Sequence, residues 1–158
     1  RVSVGMRFVE DEWRVYEVEG GQAVRLDDAN FLPGLLRSRN IGSEASVIGS
    51  LRVYNTALVT YSSTFPEIGF PDSLTVLGGE GGSPDHAGLV DTYLSSPPFE
   101  KSGYRFTYRR TGQDEYTITA RSVESRSDST RSFFTDQTGV IRFTTEDRDA
   151  RSDDEPLQ

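Results

Sequence analysis

The single histidine, His86, follows Asp85 in a loop rich in Gly, Pro and Ser, and serines are plentiful enough to imagine a Ser–His–Asp relay. Such a relay needs a nucleophile on a strained turn beside N–H donors aimed at the oxyanion, and no stretch of this chain supplies that pattern. His86 is therefore expected to be an exposed loop residue and the chain not to be an enzyme. Gly78-Gly79-Glu80-Gly81-Gly82 has the glycine density of a phosphate-binding loop, but no Lys-Ser/Thr pair follows it and no hydrophobic strand leads into it. It is expected to be a flexible connection. Asp136, in a turn, and Asp147, Asp149, Asp153 and Asp154 offer hard oxygen ligands of the kind calcium takes. They lack the regular spacing of a calcium loop, so solvated carboxylates and no bound metal or other cofactor are expected. The Arg/Ser-rich stretch 121–132 is interrupted by Glu124 and Asp128, which argues for a loop over an RNA-binding tract.

Composition narrows the function classes further. With 25 acidic and 17 basic residues the net charge is -8, which disfavours nucleic acid and acidic membrane surfaces as partners. The acidity is concentrated: residues 64–100 contain six acidic residues and no basic one. The absence of cysteine excludes disulfides, thiolate metal sites and thiol catalysis. No apolar run approaches the ~20 residues of a membrane-spanning helix, and no small-molecule substrate site is evident.

The element around which the chain is organised runs through residues 43–63. Val47, Leu51, Tyr54, Leu58 and Tyr61 recur at alternating steps of four and three, one apolar stripe of an α-helix, with Ser46, Ser50, Asn55 and Thr56 largely outside it. The helix is expected to begin near Phe31, tolerating Pro33 in its first turn, and to kink or restart at Gly42-Ser43. Upstream, residues 2–26 alternate as strands, and Gly20-Gly21 marks a tight turn. Downstream come a short helical turn at 73–77, a second short helix at 86–95 ended by Pro97-Pro98, and two hairpins built on Tyr104/Phe106/Tyr108 with Tyr116/Ile118/Ala120 and on Phe133/Phe134 with Ile141/Phe143. The aromatic rows are expected to pack against Val47, Leu51, Tyr54 and Leu58. The sum is an α+β fold, a spine helix on an antiparallel sheet, divided into a β-hairpin segment (1–30), the main domain (31–146) and a frayed acidic tail (147–158).

The residues Phe31-Leu32-Pro33-Gly34-Leu35-Leu36-Arg37, the helix from Ser43, Thr60-Tyr61 with Phe65-Pro66 and Gly69-Phe70, Leu77-Gly78-Gly79, Gly88-Leu89-Val90-Asp91, Lys101-Ser102-Gly103-Tyr104-Arg105-Phe106 and Arg131 through Arg142 together resemble type IV pilin-like and pseudopilin-type proteins, the group marked by prepilin-type cleavage and methylation. The resemblance covers roughly four-fifths of the chain. It implies a structural subunit of a surface filament or secretion pseudopilus, extracellular or at the cell surface, whose partners are itself or related subunits. Phe31, Leu32, Pro33, Leu35 and Leu36 would then belong to the helix through which subunits assemble. Upstream of Phe31 the family carries an apolar membrane helix, whereas this sequence has the charged segment 2–26. Two expectations follow: the chain assembles by another route, or it is a soluble pilin-like binding module. Trp13, Val15, Tyr16 and Val18 are the candidates for assembly by strand addition, to the chain's own sheet or to a neighbour's.

Overall fold

The computed structural model describes residues 3–9, 12–20, 22–25, 31–123 and 130–157, with side chains from residue 43 onward. The protein is α+β, and its chain divides into two compact units, residues 1–41 and 42–158. The division falls inside the long helix, not ahead of it at residue 30.

The first unit is a meander of three antiparallel strands: β1 (Ser3–Val9), β2 (Glu12–Gly20) and β3 (Gln22–Arg25), with β2 in the centre. β1 pairs along β2 from Glu12 to Glu19, and the register jumps from Gly5↔Glu17 to Met6↔Val15, which leaves Tyr16 as the extra, bulged residue. β3 covers only Glu17 to Gly20 of β2.

Helix α1 runs unbroken from Phe31 to Thr64, through the expected interruption at Gly42-Ser43. A lone glycine costs a helix about 1 kcal/mol, which packing farther along can offset. The helix stops where Phe65 N–H closes the last turn on the Tyr61 carbonyl (2.9 Å) and Pro66 follows, a residue that pushes its predecessor out of the helical region. Among the described residues no helix is long and apolar enough to cross a membrane.

The second unit holds a six-stranded antiparallel sheet in sequential order: β4 (Glu100–Lys101), β5 (Tyr104–Arg110), β6 (Tyr116–Ser122), β7 (Ser132–Asp136), β8 (Arg142–Thr144) and β9 (Glu155–Pro156). Strict alternation on β5 and β6 sends Tyr104, Phe106, Tyr116, Ile118 and Ala120 inward. They share one core with Val47, Leu51, Tyr54, Leu58 and Tyr61 of α1, all of which are buried. Tyr54 meets Phe106 edge-on at 5.4 Å between ring centres, a favourable aromatic geometry. Ser50, by contrast with its expected place outside the stripe, is also buried and returns its hydroxyl to the Ser46 carbonyl at 3.0 Å. Its small side chain is what lets it sit close to the packed face.

The connection from α1 to the sheet is held by main-chain contacts. Gly69, at φ +73°, lies so close to the Gln113 carbonyl that a Cβ there would stand 2.3 Å from it; only glycine fits both the conformation and the space. A 3-10 turn, Leu74–Leu77, follows as expected. The helix expected at 86–95 shrinks to α2 (Thr92–Ser95), capped by Asp91. Its expected first half is an irregular loop instead, because Ala87, Leu89 and Val90 N–H groups bond to the carbonyls of Val76 and Leu77 in the 3-10 turn.

The end of the chain corrects the reading of 147–158 as a frayed tail. Arg148 donates to both carboxylate oxygens of Asp154 (2.8 and 2.6 Å), Arg121 reaches Asp147 and Asp149, Ala150 is buried, and Leu157 N–H bonds to Ile141 O at 2.8 Å. The charges are internal partners, forming a clasp that ends in β9. Hydrogen bonds from Arg148, with help from the Arg151 N–H, hold the Asp154 carboxyl down to about 2. A folded-state value below that of an unfolded aspartate means the clasp is fully supported above about pH 4 and loses that support as pH falls through about 2. Amide exchange at Leu157 should therefore accelerate between those values while that of Ile118 lags; exchange at Leu157 that stays flat through that window would show that the clasp does not depend on Asp154.

Candidate interaction surface

Two polar nodes fasten α1 to the sheet. At one, Glu44, 6 % exposed, accepts from Arg131 three times: from its main-chain N–H (3.1 Å), Nε (2.9 Å) and Nη2 (2.7 Å). The guanidinium carbon also lies 4.9 Å from the Phe143 ring centre and 5.7 Å from that of Phe133. A planar cation stacked on rings and forked onto a carboxylate fixes the angle of the helix in a way a lysine could not. At the other, Asn55 donates to Thr135 Oγ1 (2.9 Å) and accepts from the Tyr116 hydroxyl (3.0 Å). Neither node was legible in the sequence: Glu44 and Arg131 are 87 residues apart, and Asn55 reads as a solvent-side residue.

Tyrosine hydroxyls tie the loops to this frame. Tyr54 donates to the Leu94 carbonyl (2.7 Å), Tyr61 to Pro84 (3.0 Å) and Tyr108 to Pro71 (2.6 Å). Burial pushes the phenols of Tyr54, Tyr108 and Tyr116 well up, so each remains a protonated donor.

The expected chemical groups fall outside any such arrangement. His86 is exposed, and Ser83 Oγ accepts from its main-chain N–H instead of meeting its ring. The glycine run is not simply slack, since Gly79, at φ +89°, is packed against His86. Asp136 caps its own turn through the Thr138 N–H (2.9 Å). Among the described residues no three acidic or histidine side chains gather as metal ligands.

Among the described residues, two surfaces bear on interaction. On α1, Val53 and Val59 are 43 % and 50 % exposed on opposite flanks of the buried stripe, and Val53 shares a shallow groove with Ala57, Thr60 and Leu89. On the other flank, the outer edge of β5 is open. β4 pairs only with Tyr104 and Arg105, Phe99 O takes the Phe106 N–H (2.9 Å), and Pro98 and Pro97 then have no N–H with which to continue a ladder. A groove of about 310 Å³ remains there between Asp72-Ser73-Leu74, Pro98-Phe99 and the strand.

The assembly candidates Phe31, Leu32, Pro33, Leu35 and Leu36 occupy the first turns of α1, and their side chains lie outside the described residues. Trp13, Val15, Tyr16 and Val18 are on β2, the central strand of the first unit; Val18 is paired on both sides, to Val4 and Val24, and so drops out as an edge residue. Compared with protein-family models, curated proteins and solved structures, the chain shows no match.

Proposed function

We propose that this chain is a pilin-like structural subunit, or a minor component, of a surface filament or secretion pseudopilus, extracellular or at the cell surface, and that it works by packing against itself or related subunits without catalysing a reaction. The observation that carries this reading is the division of labour on α1. One stripe, Val47 through Tyr61, is buried against the sheet, while two further apolar side chains, Val53 and Val59, are left exposed on opposite flanks of that stripe. Neither valine is needed for the buried face, and both are available for packing on neighbouring subunits along the two flanks of the helix. The resemblance of residues 31 to 142 to pilin-like sequences supports the same reading, as do side-chain nodes that hold helix and sheet rigidly enough to present a fixed surface.

Sedimentation velocity and negative-stain electron microscopy test it. Filaments, or discrete complexes with related subunits, are the expected result, weakened by Val53→Lys and Val59→Lys. Monomers under all conditions, with no partner complex, would overturn it.

The alternative is a soluble pilin-like binding module that contacts a basic partner through residues 64–100, where Glu67, Glu80 and Asp85 are exposed. That complex would weaken steeply with salt, whereas packing on Val53 and Val59 would not.

A further inference from the structure

We infer that Tyr93 docks in the groove beside Val53 of a second copy of this chain, and that the exchange is reciprocal. The inference rests on the subunit reading and names one contact by which copies join.

Tyr93, on α2, is 77 % exposed, the most exposed large hydrophobic side chain among the described residues. Its mount is firm. The Leu94 carbonyl takes the Tyr54 hydroxyl, Asp91 Oδ1 takes the Leu94 N–H at 3.0 Å, and the Ser95 hydroxyl donates to the Asp91 carbonyl at 2.9 Å. A ring held in water by a fixed turn adds nothing to the core, and aromatic side chains of this kind, seated in a partner's pocket, carry most of the energy of an interface.

The groove holds about 400 Å³ and lies along the Val53 flank of α1, with Val53, Ala57 and Leu89 as its apolar lining and Arg52 and Thr60 beside them. The helix surface here is lightly clad. Gly49, one turn before Val53, has open space where a Cβ would stand, so a ring can approach α1 closely. The chain's own Tyr93 does not fill the groove, since most of its surface remains in solvent.

Two observations select a second copy as the occupant. The first is charge. Arg52 is the only arginine or lysine between residues 43 and 100; it is exposed and has no acidic partner. Asp91, two residues before Tyr93, is exposed as well, and its second carboxylate oxygen is unused. Seating Tyr93 beside Val53 brings the Asp91 of one copy toward the Arg52 of the other, whereas a basic partner would meet Arg52 with like charge. The second is placement. Leu89, in the groove, is four residues before Tyr93, and Tyr54, next to Val53, is bonded to the carbonyl of Leu94, next to Tyr93. Ring and groove therefore share one side of the unit, and a patch that carries both is self-complementary, the condition for a two-fold contact in which each pairing occurs twice.

The test uses the full-length chain. Sedimentation velocity should show concentration-dependent association, weakened about tenfold or more by Tyr93→Ala at an unchanged melting temperature and largely retained in Tyr93→Phe, which keeps the ring. Arg52→Glu should weaken it as well. Because the chain has no cysteine, single-cysteine variants report the contact directly: Thr56→Cys mixed with Thr92→Cys should oxidise to a crosslinked dimer, and Val59→Cys mixed with Thr92→Cys should not. Association that Tyr93→Ala leaves unchanged, or crosslinking that favours Val59→Cys, overturns the inference while leaving the subunit reading intact. A chain that stays monomeric alone but joins related subunits also removes this contact and not that reading; one that joins nothing removes both.

Discussion

Leu51→Asp should leave the 42–158 unit unfolded at room temperature. Leu51 is fully buried at the middle of the α1 stripe, between Val47 and Tyr54 and facing the inner aromatic row of the sheet. Truncating such a leucine costs about 2–5 kcal/mol through lost transfer energy and the cavity left behind. The aspartate adds a charge with no cation facing it inside the core, and either the ion or its protonation carries a further penalty of several kcal/mol. The total is comparable to the whole stability of an ordinary domain, about 5–15 kcal/mol. Circular dichroism and urea titration would show the loss directly. The proper control is Thr56→Asp, at an exposed position of the same helix, which should melt within a few degrees of the parent. Ser50→Asp is not that control, since Ser50 is buried. A cooperative melt for Leu51→Asp at the parent temperature would mean that another face of α1 is the packed one.

Glu44→Ala should be the most damaging change at a polar residue, at about 3 kcal/mol. The value sits at the low end for breaking a buried ion pair because Arg131 keeps 31 % of its side chain exposed and can recover some hydration. What is lost is three hydrogen bonds to one carboxylate, one of them from the Arg131 main chain at the entry to β7. Glu44→Gln retains an acceptor and should cost roughly half as much, and Arg131→Lys should fail to rescue the geometry because an ammonium cannot fork onto the carboxylate while lying flat on Phe143. Chemical denaturation of the three variants checks the order. A Glu44→Ala cost below about 1 kcal/mol would place the pair among ordinary surface ion pairs. The helix angle depends on this pair, so a variant that folds but assembles poorly would locate its effect in presentation of the outer face of α1.

Local periodicity in the sequence determined the main elements. The four-three spacing of Val47, Leu51, Tyr54, Leu58 and Tyr61 marks a helix face because 3.6 residues per turn brings those positions into line, and no distant residue is needed to see it. The alternation Tyr104/Phe106/Tyr108 and Tyr116/Ile118/Ala120 marks half-buried strands for the same kind of reason, and the turn at Asp136–Gly139 is written in its own residues. The segment 86–91 misled because its apolar residues have helical spacing, while the carbonyls that capture the N–H groups of residues 87–90 belong to residues 76–78.

Only the tertiary structure decided which polar residues are inside. Ser50 and Asn55 look like solvent-side positions on a helical projection, yet one is small enough for the packed face and the other meets Thr135 and Tyr116 across the sheet. The acidic run 147–158 has the composition of a solvated tail. It is a clasp because Arg121 and Arg148 come within reach of its carboxylates, and composition counts charges without pairing them. The same holds for the open edge of β5. Alternation shows that Tyr104–Arg110 is a strand, but whether one of its edges is free depends on where β4 ends and the chain turns away at Pro98, a matter of three-dimensional path that no local pattern encodes.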